Sequence, residues 1–119
     1  MKPRTNRKSR SGGVLPAARP DAERMREHAG DAAQLLKALA NEKRLMILCL
    51  LVDAERSVGE LNALLDLSQS ALSQHLAVLR DDGLVHTRRE AQSIVYSIAP
   101  GPAQHLLHTL HAIYCGTDV

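Results

Sequence analysis

Two side chains carry the only thiols of the 119-residue chain, Cys49 in "LMILCLL" and Cys115 in "HTLHAIYC". A thiolate is both a nucleophile and a soft metal ligand. His111 stands four residues before Cys115, and His108 seven before it. His and Cys spaced i, i+4 on one helix can chelate zinc or copper. A protonated His at i−4 can also favour a thiolate, although a helix C-terminus disfavours anions. Cys49 lies in a run of aliphatic residues and equally reads as a buried thiol acting as a small hydrophobe. No signal-peptide pattern of basic start, apolar run and small-residue cleavage site precedes these segments, so a cytoplasmic chain is expected. In that reducing compartment a constitutive structural disulfide is disfavoured. The pair is then either two packing thiols or a redox-active couple.

A second kind of chemistry lies in "SQSALSQHL", Ser68 to Leu76. On a helical wheel Leu72, Leu76 and Leu79 gather on one side. Ser70, Ser73, Gln74 and Ala77 take the opposite side, with Gln69 and His75 at the boundary. Short side chains that both donate and accept hydrogen bonds are poor helix formers compared with Glu and Lys. They suit a helix lying in the DNA major groove, where base edges offer a mixed donor and acceptor code. Gln can pair bidentately with adenine, and Ala77 leaves room for close approach.

These residues need elements to position them. Ala29, Ala32, Ala33, Leu36, Leu39 and Ala40 recur at spacings of three and four, which predicts a helix from about Asp21 to Leu39. Asn41 is a good N-cap for a second helix, "EKRLMILCLLV". Its apolar residues point all round the axis, which predicts a buried, central helix. "DAERS" reads as a turn. Ser57 and Glu60 then form a capping box for a short helix with Leu61, Leu64 and Leu65 facing inward. Ser68 caps the helix just described, and Gly83 ends it in a left-handed conformation. "LVHTRRE" and "SIVYSIA" form a β-hairpin turning at Ala91 and Gln92. Pro100-Gly101-Pro102 breaks the chain before a last helix, from about Ala103 to Cys115. Helix, turn, helix and hairpin in this order predict a winged helix-turn-helix, mainly α with some β: about five helices and one hairpin wing. Arg88 and Arg89 near the wing's tip, with Gln92 in its turn, are candidates for contact with phosphate or the minor groove.

Charge is divided unevenly. Residues 1–20 hold six basic side chains and no acid, among Pro, Gly and Ser, whereas the other 99 residues hold 9 basic and 13 acidic side chains, a net charge of −4. The first stretch cannot bury enough apolar surface to fold alone and is expected to be a disordered basic arm, with the winged-helix domain at 21–119. Leu45 to Val52 is the longest apolar run, at eight residues. A membrane span needs about 18 or more, so no membrane partner is expected.

The segments "LLKALANEKRLMILCLL", "SVGELNALLDLSQSALSQHLAVLRDDGLV" and "REAQSIVYSI" together resemble the ArsR/SmtB family. These are small homodimeric winged-helix repressors that leave their operator when an inducer binds. The resemblance covers roughly residues 30–115. Many members sense metals through a Cys pair in "ELCVCDL" before the recognition helix. The matching segment here, "SVGELNALL", has no Cys, so that metal site is missing. The Asp and His pairs that other members carry on the last helix are matched poorly. The placement of Cys49 and Cys115 is similar to the sulfide- and persulfide-responsive SqrR/BigR/HlyU branch. The resemblance implies that both thiols react with reactive sulfur species, become joined by a disulfide or a polysulfide bridge, and release DNA. It further implies a homodimer, built on the first and last helices, bound to a double-stranded inverted-repeat operator.

The leading expectation is thus a non-enzymatic, cofactor-free repressor with Cys49 and Cys115 as sensing thiols. Its DNA-facing residues are Ser68, Gln69, Ser70, Ser73, Gln74, His75, Arg88, Arg89 and Gln92. A zinc- or copper-responsive repressor using His108, His111 and Cys115 is the alternative. A small thiol redox enzyme with Cys49 as nucleophile and Cys115 as resolving thiol comes third, and an interaction protein that keeps the fold without binding DNA comes fourth.

Overall fold

The structure, a computed structural model, describes residues 21–116. The basic arm expected over residues 1–20 lies outside the described residues. The chain forms two compact units, Met1–Ala33 and Gln34–Val119. In the first, the described residues are helical, and Asp21 to Asp31 are all exposed.

Five helices and three strands follow one another: α1 (Asp21–Leu39), α2 (Glu42–Asp53), β1 (Arg56–Ser57), α3 (Val58–Leu64), α4 (Gln69–Asp81), β2 (Val85–Glu90), β3 (Ser93–Ile98) and α5 (Pro102–Cys115). The starts are set by local chemistry. Asn41 accepts hydrogen bonds from the Lys43 and Arg44 amides and so caps α2. Ser57 and Glu60 complete the reciprocal capping box of α3. Ser68 accepts from the Ala71 amide at the head of α4. Pro102 occupies the first turn of α5, where a missing N–H costs nothing. Gly83, at φ 71°, makes the left-handed step out of α4.

The core is aliphatic. Ile47 and Leu48 of α2, Leu61 of α3, and Leu72, Leu76 and Leu79 of α4 are its largest fully buried side chains. Each contributes roughly 1.5–3 kcal/mol through burial. Leu107 of α5 and Tyr96 of β3 join the same cluster. The Arg80 guanidinium donates to the Tyr96 hydroxyl at 2.9 Å, tying the end of α4 to the sheet. Arg44 donates to the carbonyls of Ala38 and Lys37, which covers orphan acceptors at the end of α1.

Three expectations need correction. "DAERS" is not only a turn, because Arg56 and Ser57 pair with Tyr96 and Val95, making the hairpin a three-stranded antiparallel sheet in the order β1-β3-β2. Leu64 is exposed rather than inward-facing, since α3 is only seven residues long and buries just Leu61. Third, the apolar α2 is not buried all round: only Ile47, Leu48 and Leu51 are, while Met46 and Cys49 are exposed. A Cys49 packed as a buried hydrophobe is thereby excluded. Near the end of α5, two large apolar side chains are also exposed, Ile113 at 64 % and Tyr114 at 82 %.

Candidate nucleic-acid interface and thiol cleft

On α4 the three leucines turn inward and fix the opposite face outward. Gln69, Ser70, Ser73 and Gln74 are all exposed and His75 is half-buried, as the spacing predicts. Ser68 is exposed too, but its oxygen accepts the Ala71 amide at 3.1 Å. It serves the helix end first, and its hydroxyl also lies 3.5 Å from that of Ser70.

His75 has neighbours that sequence reading missed. Its pKa is pushed down, first by partial burial and then by the positive charges of Arg44 and Lys43. The start of α2 therefore lies beside α4. A signal for this was present: Lys43 and Arg44 follow Glu42 in the first turn of α2, where the helix dipole favours acids. Such a placement costs stability and so points to another use.

The wing separates its two arginines. Along β2 and β3, Arg89 is opposite Ile94 and Thr87 opposite Tyr96, while Arg88 is opposite Val95 and His86 opposite Ser97. Side chains alternate between faces of a strand. Arg89 thus shares the face of Ile94, Tyr96 and Ile98, which packs on the core. Arg88 stands on the outer face. There its guanidinium meets Glu55 at 2.6 Å and Glu90 at 3.3 Å. Arg89 is exposed and makes no ion pair with another described residue. Gln92 is exposed in the turn beside Ala91, whose φ of 55° is unusual for a residue with a side chain.

The thiols belong to a different place. A cleft of about 430 Å³ is lined by Cys49, Val52 and Asp53 of α2 and by Leu107, His108, His111 and Ala112 of α5, with Gly116 beyond it. Both cysteines are free and exposed. Cys115 is absent from the lining, and no bond joins the pair. Although Cys49 is exposed, crowding by its neighbours raises its thiol pKa above the usual value, and the charges of Cys115 and Asp53 raise it further. The two thiols are held apart and unbridged.

Metal binding by His108, His111 and Cys115 finds no geometry. Among the described residues, no three His, Cys, Asp or Glu side chains converge as an ion requires. The helix itself explains this: seven residues of α-helix separate His108 from Cys115 by about 10 Å along the axis. Among the described residues no helix is long and apolar enough to cross a membrane.

Comparison with known proteins places these features. The family model of bacterial regulatory proteins of the arsR family matches residues 41–87, from the cap of α2 into the wing. The transcriptional activator HlyU of Vibrio cholerae is 52 % identical over 85 % of this chain and 94 % of its own length. The chain belongs to the arsR family. Among solved structures, the family's transcriptional repressor BigR from Xylella fastidiosa superposes with a TM-score of 0.75 at 41 % identity, covering 82 % of this chain and all of that one. A homodimeric winged helix-turn-helix domain from Mycobacterium bovis, a possible ArsR-family regulator, gives a TM-score of 0.67 at 32 % identity over 82 % of this chain and 89 % of that one. The chain is accordingly a winged-helix transcriptional regulator of the arsR family. The relatives are named as regulators, not enzymes, which sets aside the thiol-enzyme reading.

Proposed function

We propose that this arsR-family regulator is a cytoplasmic, homodimeric repressor that binds an inverted-repeat operator and releases it when reactive sulfur species modify Cys49 and Cys115. In this reading, Gln69, Ser70, Ser73, Gln74 and His75 meet base edges in the major groove, with Ser68 at the helix head. Arg88, Arg89 and Gln92 of the wing meet the backbone or the minor groove. Exposed Leu36, Ile113 and Tyr114, on the first and last helices, supply the apolar surface for a second copy.

One observation supports the sensing half: two free, exposed thiols, one on α2 at a cleft that α5 completes and one at the end of α5, outside that cleft's lining. The chemistry balances with an inorganic polysulfide as oxidant. One thiolate attacks a polysulfide sulfur, and a shorter polysulfide leaves with the electron pair. The second thiolate attacks the sulfur chain now carried by the first, and hydrosulfide leaves. The two Sγ atoms end joined directly or through added sulfur. A direct disulfide requires Cα atoms within about 7 Å, whereas a longer bridge spans more. Thiols held apart thus favour polysulfide over peroxide as inducer. Linking α2 to α5 shifts the helices that carry the DNA-reading surface, and a coupling of about 1–3 kcal/mol is enough to empty an operator.

The test is mass spectrometry of the reduced protein after polysulfide treatment, alongside operator binding. A cross-link between the Cys49 and Cys115 peptides of one chain, with whole sulfur atoms added and DNA released, is the expected result. Thiols that stay free, or react one by one without release, would reject the sensing role.

A further inference from the structure

Arg88 is engaged before any DNA arrives. Its guanidinium donates to Glu55 at 2.6 Å and lies 3.3 Å from Glu90. Glu55 immediately precedes β1, and Arg88 lies on β2, so the bond crosses the central strand β3. The register explains the meeting. Ser57 and Arg88 both pair with Val95, from opposite sides. Glu55, two residues before Ser57, projects to the same outer face as Arg88.

The pair is a poor brace for the wing. β3 is already held by six residue pairs to β2 and two to β1. Arg88 and Glu55 are about half exposed, 49 % and 51 %. Exposed ion pairs add little to stability. Their effect on charge is larger. The contact lowers the Glu55 carboxyl pKa and raises that of Arg88, chiefly through their hydrogen bond. With Glu90 on its other side, the guanidinium's charge is balanced by two carboxylates. Arg89, on the opposite face, keeps its own.

We infer that Glu55 is a positioning residue for DNA binding: with Glu90 it holds Arg88 on the outer face of the wing, so DNA gains this phosphate contact only by displacing the two carboxylates. The inference rests on the wing meeting DNA, as proposed above. Arg89 supplies the standing cation of the wing and Arg88 a reserve one. Phosphate contacts are sequence-independent, so Glu55 sets overall affinity and its salt dependence rather than base preference.

The experiment compares six full-length proteins: wild type, Glu55→Gln, Arg88→Gln, the Glu55→Gln/Arg88→Gln double variant, Arg89→Gln and Glu90→Gln. Each is titrated with a duplex of mixed sequence at several salt concentrations, after circular dichroism confirms folding. Glu55→Gln is expected to bind roughly two- to fivefold tighter, the scale of an exposed ion pair. Its log–log salt slope should steepen by about 0.9, the signature of one added phosphate contact. In the Arg88→Gln background the same change should do nothing. Equal tightening in both backgrounds would mean simple repulsion of DNA by Glu55 and would overturn the inference. Weaker binding by Glu55→Gln would make the pair a brace, which also overturns it. If Arg88→Gln and Arg89→Gln both leave affinity and slope unchanged, the wing does not meet DNA, and the underlying reading fails instead. Glu90→Gln provides a second, smaller release of the same guanidinium.

Discussion

The α3–α4–wing region and the α2–α5 cleft carry the molecule's two chemistries, and they are built differently. In the first, every element has a local device: the Ser57–Glu60 capping box, the Ser68 cap, the left-handed Gly83, and a six-pair strand register. The outward side chains follow from inward leucines on the same helix. In the second, Cys49 and His108 come from helices far apart in sequence. Among the described residues, no side-chain hydrogen bond or ion pair links Cys49, Asp53, His108 and His111. The surface proposed to read DNA is prebuilt. The cleft proposed to respond is held by packing, with Ala103 and Leu107 of α5 in the core, and regions with few polar ties open at low cost.

The largest test of this contrast stays within α4. Leu76 is 2 % exposed, and Leu76→Ala should destabilise the protein by about 2–5 kcal/mol, the range for emptying a leucine site in a core. Chemical denaturation measures it. Two nearby positions on the same helix then separate support from reading. Gln74→Ala should leave the unfolding midpoint in place and weaken operator binding by about 1–3 kcal/mol, with far less loss on random DNA. Equal losses on both DNAs would remove the base-reading role.

The cleft should show the reverse pattern. Cys115→Ser, at an exposed helix end, should change neither stability nor affinity for DNA measurably. It should abolish polysulfide-driven release, which is worth about 1–3 kcal/mol of coupling. Continued release by Cys115→Ser in a gel-shift titration would break the two-thiol scheme and leave Cys49 as the single responder.

Legibility followed the same divide. The helix borders, the N-caps, the inward leucines and the exposed Ser and Gln of α4 could be read from spacing, because each depends on residues within one turn. β1 could not, since two residues, Arg56 and Ser57, gain strand character only by pairing with β3 some forty positions later. The exposure of Cys49 was hidden by composition: "LMILCLL" is apolar all round, and only the packing partners decide which side stays open. The opposition of Arg88 and Arg89 needed the register, and Glu55 gave no signal at all. The role of the thiols came from family resemblance, not from pattern.

The smallest expected effect probes the cleft's own electrostatics. Asp53 raises the Cys49 pKa, as the least of three causes after burial and Cys115. The fold therefore holds the proton more tightly than the unfolded chain does. Between the two pKa values the unfolded state binds fewer protons, so this thiol's contribution to stability is intact below the ordinary thiol pKa and declines as pH rises through it. The same raised value slows attack by Cys49 at neutral pH, because only the thiolate reacts. Asp53→Asn removes one repelling charge at a solvent-exposed site, where screening keeps its effect on the thiol small. Iodoacetamide labelling of Cys49, followed by peptide mapping at pH 7.5, should accelerate roughly two- to threefold. An unchanged rate would mean that Asp53 does not act on the thiol, leaving burial and Cys115 to set its reactivity.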